Sequence, residues 1–97
     1  MNGSEFVIFA ELNRDHFEDI LDRVMKYYPS VQFGRQGDDW IWVQLEDGKI
    51  EIDSFYSMQL ELKGKKDHIQ TAQHILKIID KNWILEQFDP PKEDLTR

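Results

Sequence analysis

The chain reads as a single α+β domain, a two-layer sandwich in which a mainly antiparallel sheet carries two helices on one face. Three observations predict this. Residues 13–28 and 67–83 repeat apolar side chains at three- and four-residue steps, several other stretches alternate apolar with polar residues, and Asp47-Gly48 sits between two alternating runs, as a tight hairpin turn does. The expected order is β-α-β-β-β-β-α, with a terminal strand as an option.

The first strand is expected from Glu5 to Leu12, where Phe6, Val7, Ile8, Phe9 and Ala10 are apolar at successive positions. Apolar residues on both alternating faces mark an interior strand covered on both sides. In the helix that follows, Phe17, Ile20, Leu21, Val24, Met25 and Tyr28 form the apolar stripe, and Glu18, Asp19, Asp22, Arg23 and Lys26 the polar side. Asn13 or Asp15 is expected to cap this helix and Pro29 to close it. Val31 and Phe33 make a short strand ahead of the polar, glycine-bearing loop 34–39. Trp40 to Glu46 and Lys49 to Phe55 form the hairpin, and a connection at Tyr56-Ser57 leads to a strand on which Met58, Leu60 and Leu62 face inward. The second helix starts near Asp67 and buries Ile69, Ala72, Ile75, Leu76 and Ile79, with Trp83 near its end. Asp89-Pro90-Pro91 is expected to stop regular structure, so the domain spans 1–91 and residues 92–97 form a disordered tail.

Composition narrows the function classes. An aromatic fraction of 12% within a 40% hydrophobic fraction gives the chain enough to bury, and argues against intrinsic disorder. A net charge of −7 repels a phosphate backbone, so nucleic-acid binding is disfavoured. The chain has no cysteine, which rules out disulfides and thiolate metal sites and suits the cytoplasm. Its first residues lack the basic region and apolar run of a signal peptide, and no run approaches the length of a membrane span, so no membrane association is expected.

The hairpin decides which residues face outward. With Asp47-Gly48 as a two-residue loop, Leu45 falls opposite Ile50, Val43 opposite Ile52 and Ile41 opposite Ser54 on the helix side. The other side then carries Gln44 opposite Glu51, Trp42 opposite Asp53 and Trp40 opposite Phe55. Adjacent large aromatics beside carboxylates form a candidate binding face of Trp40, Trp42, Gln44, Glu51, Asp53 and Phe55. Ring quadrupoles and carboxylates together suit a cation. Two alternatives stand beside a binding role: the C-terminal segment with Trp83, Leu85 and Phe88 covers these rings, or a second copy of the chain does, giving a homodimer.

Catalytic chemistry finds little support. His16, His68 and His74 lack the spacing that places two imidazoles on one helical face, and are expected to be solvated, with no metal site. Asp38-Asp39, Glu46-Asp47 and the Glu51/Asp53 pair lack a nucleophile, so no catalytic residue is assigned and no cofactor is expected. Lys63-Gly64-Lys65-Lys66 reads as a solvated turn before the second helix, where Lys63, Lys65 and Lys66 make a weak candidate anion site. The expected function is a non-catalytic protein-interaction module, a regulator, inhibitor or immunity-type protein. The alternative is a binding protein for a small cationic or aromatic ligand, held between the sheet and the C-terminal segment.

Overall fold

The computed structural model describes residues 6–55 and 57–94. Its elements are β1 (Phe6–Leu12), α1 (Phe17–Tyr27), β2 (Val31–Gly34), β3 (Trp40–Leu45), β4 (Gly48–Asp53), β5 (Leu60–Lys65), α2 (Ile69–Ile78) and β6 (Ile84–Glu93). The six strands form one sheet in the order β2-β3-β4-β5-β1-β6, with antiparallel pairing throughout. The two helices cover one face, and the fold is the expected two-layer α+β sandwich with the terminal strand present.

The core lies between the helices and the inner sheet face. Phe17, Ile20, Leu21 and Val24 descend from α1, and Ala72, Ile75 and Leu76 from α2, onto Ile41, Val43, Ile50, Ile52, Leu60 and Leu62. Each Val, Leu, Ile or Phe side chain among these contributes about 1.5–3 kcal/mol when taken fully from water. Asn13, and not Asp15, caps the turn leading into α1, its side chain accepting the Asp15 N–H at 2.9 Å. Met25, expected on the apolar stripe, is 48% exposed, because it lies about a quarter turn round α1 from the face that buries Phe17, Ile20, Leu21 and Val24.

Three expectations need correction. The hairpin turn is Glu46-Asp47, so Leu45 pairs with Gly48, Gln44 with Lys49, Trp42 with Glu51 and Trp40 with Asp53. A type I′ turn at Asp47-Gly48 needs positive φ at both positions, and no non-glycine residue among those described has it. Asp47 is held instead by His68 at 2.8 Å through its side chain and by Lys65 at 2.6 Å through its carbonyl. The register moves by two residues, so every side chain keeps its predicted face.

The strand expected from Met58 begins at Leu60, leaving Met58 83% exposed, and continues to Lys65. Lys63-Gly64-Lys65 is therefore strand and not turn. A Cβ on Gly64 would lie 3.2 Å from the Lys49 carbonyl and 3.0 Å from Ile50 Cδ1, so glycine here admits the close approach of β4. Finally, β6 runs through Pro90 and Pro91 to Glu93, and Lys92 and Glu93 pair with Ile8 and Val7. Prolines are tolerated because β6 is an edge strand, bonded on one side only. The expected strand start at Glu5, the connection at Tyr56 and the last three residues of the tail fall outside the described residues.

Candidate functional site

Period-two alternation and the pairing register lay out the outer sheet face in rows. One row runs Gly34, Trp40, Asp53, Glu61, Glu11 across β2, β3, β4, β5 and β1; the next runs Gln32, Trp42, Glu51, Lys63, Ile8. Five of the six predicted face residues, Trp40, Trp42, Gln44, Glu51 and Asp53, thus share this surface. Phe55 lies past the end of β4, 39% exposed, its N–H 3.4 Å from Asp53 Oδ1.

The aromatic half is built on Gly34. A Cβ there would fall 2.6 Å from Trp40 Nε1, so the indole lies against β2 only because position 34 has no side chain. The Trp40 and Trp42 rings sit 4.7 Å apart, tilted by 42°. Such a pair contributes about 0.5–1.5 kcal/mol beyond its area. Lys49 Nζ stands 3.5 Å from the Trp42 ring centroid and 3.8 Å from Glu51 Oε2. The chain's own lysine thus occupies the place between ring and carboxylate that the sequence suggests for an outside cation. Trp42 Nε1 is buried with no hydrogen-bond partner among the described residues.

The acidic half is internal to the fold. Asp53 and Lys63 are both 0% exposed, with Lys63 Nζ 3.0 Å from Asp53 Oδ1 and 3.4 Å from Glu61 Oε1. Burial pushes the Glu61 carboxyl above its usual range; Lys63 pulls it back down, and Asp94 and Asp53 add to the rise. Buried charges persist only when paired, and removing one partner strands the other. Asp53 therefore holds β4 to β5 through Lys63, Glu51 pairs with Lys49 on β4 itself, and both acids present little surface.

The three lysines of the candidate anion site do not converge. Lys63 is in this ion cluster, Lys65 donates to the Asp47 carbonyl, and Lys66 is exposed in the 3-10 turn before α2. The C-terminal segment does not cross the tryptophans either. β6 lies at the far side of the sheet from β3, and Trp83 stacks on His16 at 5.0 Å under the Arg23 guanidinium at 4.8 Å.

Sequence reasoning misses two features. Asp39 is 3% exposed and accepts Arg14 Nε at 2.9 Å and Arg35 Nε at 3.2 Å, while Arg35 also reaches Glu18. Ser54 N–H donates to the Asp39 carbonyl at 2.9 Å, and the Asp39 N–H to Ser54 Oγ at 3.1 Å. One aspartate thus ties the 34–39 loop to the end of β4 and the start of α1. Burial acts to raise its carboxyl, but hydrogen bonds and charge from Arg35 and Arg14 prevail and hold it below the usual range. The four-residue spacing of Arg35 and Asp39 is the only local hint. The histidines, expected to be solvated, are engaged: His68 is 7% exposed and bonded to Asp47, His74 Nδ1 lies 2.6 Å from the Tyr28 hydroxyl, and His16 is stacked on Trp83. Among the described residues no three His, Cys, Asp or Glu side chains come together to hold a metal ion, and no helix is long and apolar enough to cross a membrane.

An open groove of about 360 Å³ lies between α2 and β6, lined by Gln73, Leu76, Lys77, Lys81, Ile84 and Gln87. Compared with known proteins, the chain matches no family model, no curated protein and no solved structure.

Proposed function

We propose that this chain is a non-catalytic protein-interaction module of the cytoplasm, a regulator, inhibitor or immunity-type protein, that engages a partner protein through the aromatic half of its outer sheet face. The observation that carries this reading is the half-buried Trp40–Trp42 pair on the face opposite the helices, with Trp40 seated over Gly34. Tryptophans are favoured interface anchors, and Gln44, Gln32 and Lys49 around them supply a polar rim. The buried indole N–H of Trp42 adds a donor that a partner carbonyl would satisfy after a small ring movement. Glu51 and Asp53 enter this reading as support for the face and not as contacts.

A small cationic ligand is the weaker reading. On the outer face it would have to displace Lys49 from Trp42, and in the groove beside β6 it would meet Lys77 and Lys81. The test is affinity capture from cells with the wild-type chain, Trp42→Ala, Gln44→Lys and Tyr27→Ala, each checked for cooperative unfolding. A specific partner should be lost with Trp42→Ala and Gln44→Lys and kept with Tyr27→Ala, which lies on α1. Retention by both sheet variants would sink the proposal.

A further inference from the structure

We propose that β2 is a self-association edge, through which two copies of this chain pair antiparallel with Val31 of one copy opposite Phe33 of the second. The reading is independent of the proposed function and concerns the rim of the sheet rather than its face.

The two edges of the sheet differ in kind. β6 carries Pro90 and Pro91, which offer no N–H, and the charges of Glu86, Asp89, Lys92 and Glu93. These are the devices by which proteins keep an edge from pairing. β2 has neither proline nor charge over Val31-Gln32-Phe33-Gly34, and only its four-residue length limits pairing there. Its backbone phase follows from the Gln44 N–H, which donates to the Ser30 carbonyl at 2.9 Å. In an antiparallel ladder such bonds recur at every second residue, so positions 30, 32 and 34 face β3 while Val31 and Phe33 turn N–H and C=O to the open edge. No hydrogen bond among the described residues uses those groups.

Side chains mark the same edge. Phe33 lies on the helix side, opposite Ile41, yet is 49% exposed. Two helices about 10 Å apart shield about 20 Å of a six-stranded sheet about 24 Å wide, so an edge strand overhangs. Glu18 and Met25, seven residues apart, share one stripe of α1. Glu18 reaches Arg35 just past the end of β2, so the flank of α1 that carries Glu18 and the 48% exposed Met25 is the one on the β2 side. The rim is a backbone edge with the half-exposed Phe33 side chain beside it.

A second copy fits this edge better than a charged segment does. With a net charge of −7 the chain repels itself over most of its surface, and the uncharged β2 rim is where two copies can meet. A two-fold axis through Gln32 places Val31 opposite Phe33 of the second copy, twice, both on the helix side. That register makes about four N–H···O bonds, and it sets Gln32 against Gln32 of the second copy on the outer face with Cα atoms about 4.5 Å apart. Centring on Phe33 instead would leave only about two bonds within the strand. The contact is small, so association depends on concentration. It would also place both Trp40–Trp42 pairs on the same face of one continuous sheet.

The experiment is light scattering of the wild-type chain over about a hundredfold range of concentration, with Phe33→Lys, Trp42→Ala and two single-cysteine variants, Gln32→Cys and Gln44→Cys. The native chain has no cysteine, so each variant carries one thiol. The mass should rise from one chain to two. Phe33→Lys should weaken association by about tenfold or more, and Trp42→Ala should leave it unchanged. Under mild oxidation Gln32→Cys should cross-link, its expected separation falling within the span of a disulfide, while Gln44→Cys should not. A wild-type monomer at every concentration overturns the proposal. So does a dimer indifferent to Phe33→Lys, or one that cross-links through Gln44→Cys instead. Should Phe33→Lys fail to fold, the cysteine pair decides alone.

Discussion

The two faces of the sheet are equally dry at their centres and are held by opposite means. On the inner face Ile52 and Leu62 pair across β4 and β5, each 0% exposed beneath the helices. One residue along, on the outer face, Asp53 and Lys63 are also 0% exposed, joined by an ion pair of 3.0 Å. Inner-face burial gains free energy with each apolar group removed from water and is tolerant of shape. Outer-face burial roughly balances desolvation against Coulomb attraction, and tolerates the loss of neither partner. Equal exposure therefore conceals unequal sensitivity to substitution.

The largest effect expected from this contrast is at Lys63. Lys63→Met keeps the length of the side chain but leaves Asp53 and Glu61 buried without their cation, and should cost about 3–5 kcal/mol in urea unfolding. Its inner-face neighbour Leu62→Ala, which opens a cavity, should cost about 2–5 kcal/mol. A near-neutral Lys63→Met would show that the two faces are held alike. Asp39→Ala comes next, at about 2–3 kcal/mol, since it releases the charged hydrogen bonds from Arg14 and Arg35.

Acid titration sharpens the comparison by sign. The Asp39 carboxyl is held below its usual range, so its contribution is present at neutral pH and lost as pH falls through its folded value. Glu61 is raised, so its folded form takes up a proton first, and the group adds stability as pH falls that is absent once pH has risen through its folded value. Stability curves for Asp39→Ala and Glu61→Gln should therefore depart from wild type in opposite directions below neutrality. Asp39→Ala should lose part of the acid sensitivity and Glu61→Gln should increase it. At pH 7, Glu61→Gln should change stability by about 1 kcal/mol or less, the smallest effect of the set.

The face assignment of the hairpin was legible because side-chain parity survives a two-residue slip of register; the slip itself was not, because Asp47 is held by Lys65 at the end of the next strand and by His68 just past it. Lys63 looked like turn because Gly64 and two more lysines follow it, and only the approach of β4 makes glycine a strand residue there. The candidate face was likewise half legible. Alternation placed Trp40, Trp42, Glu51 and Asp53 together, but it could not tell half-buried aromatics from buried acids, since Asp53 is buried against Lys63 from the neighbouring strand while Glu51 pairs with Lys49 on its own.

Local periodicity by itself determined the two-layer α+β class, the stripes of both helices and the face on which each hairpin residue lies. These properties follow from the 3.6- and 2.0-residue repeats of the backbone, which are written into consecutive residues. Only the tertiary structure decided strand order, the burial of Asp39, Asp53, Lys63 and His68, and the place of the uncharged β2 at the sheet edge. Each of these depends on a partner distant in sequence, and a charge or a hydrogen bond carries no period that would announce where its partner lies.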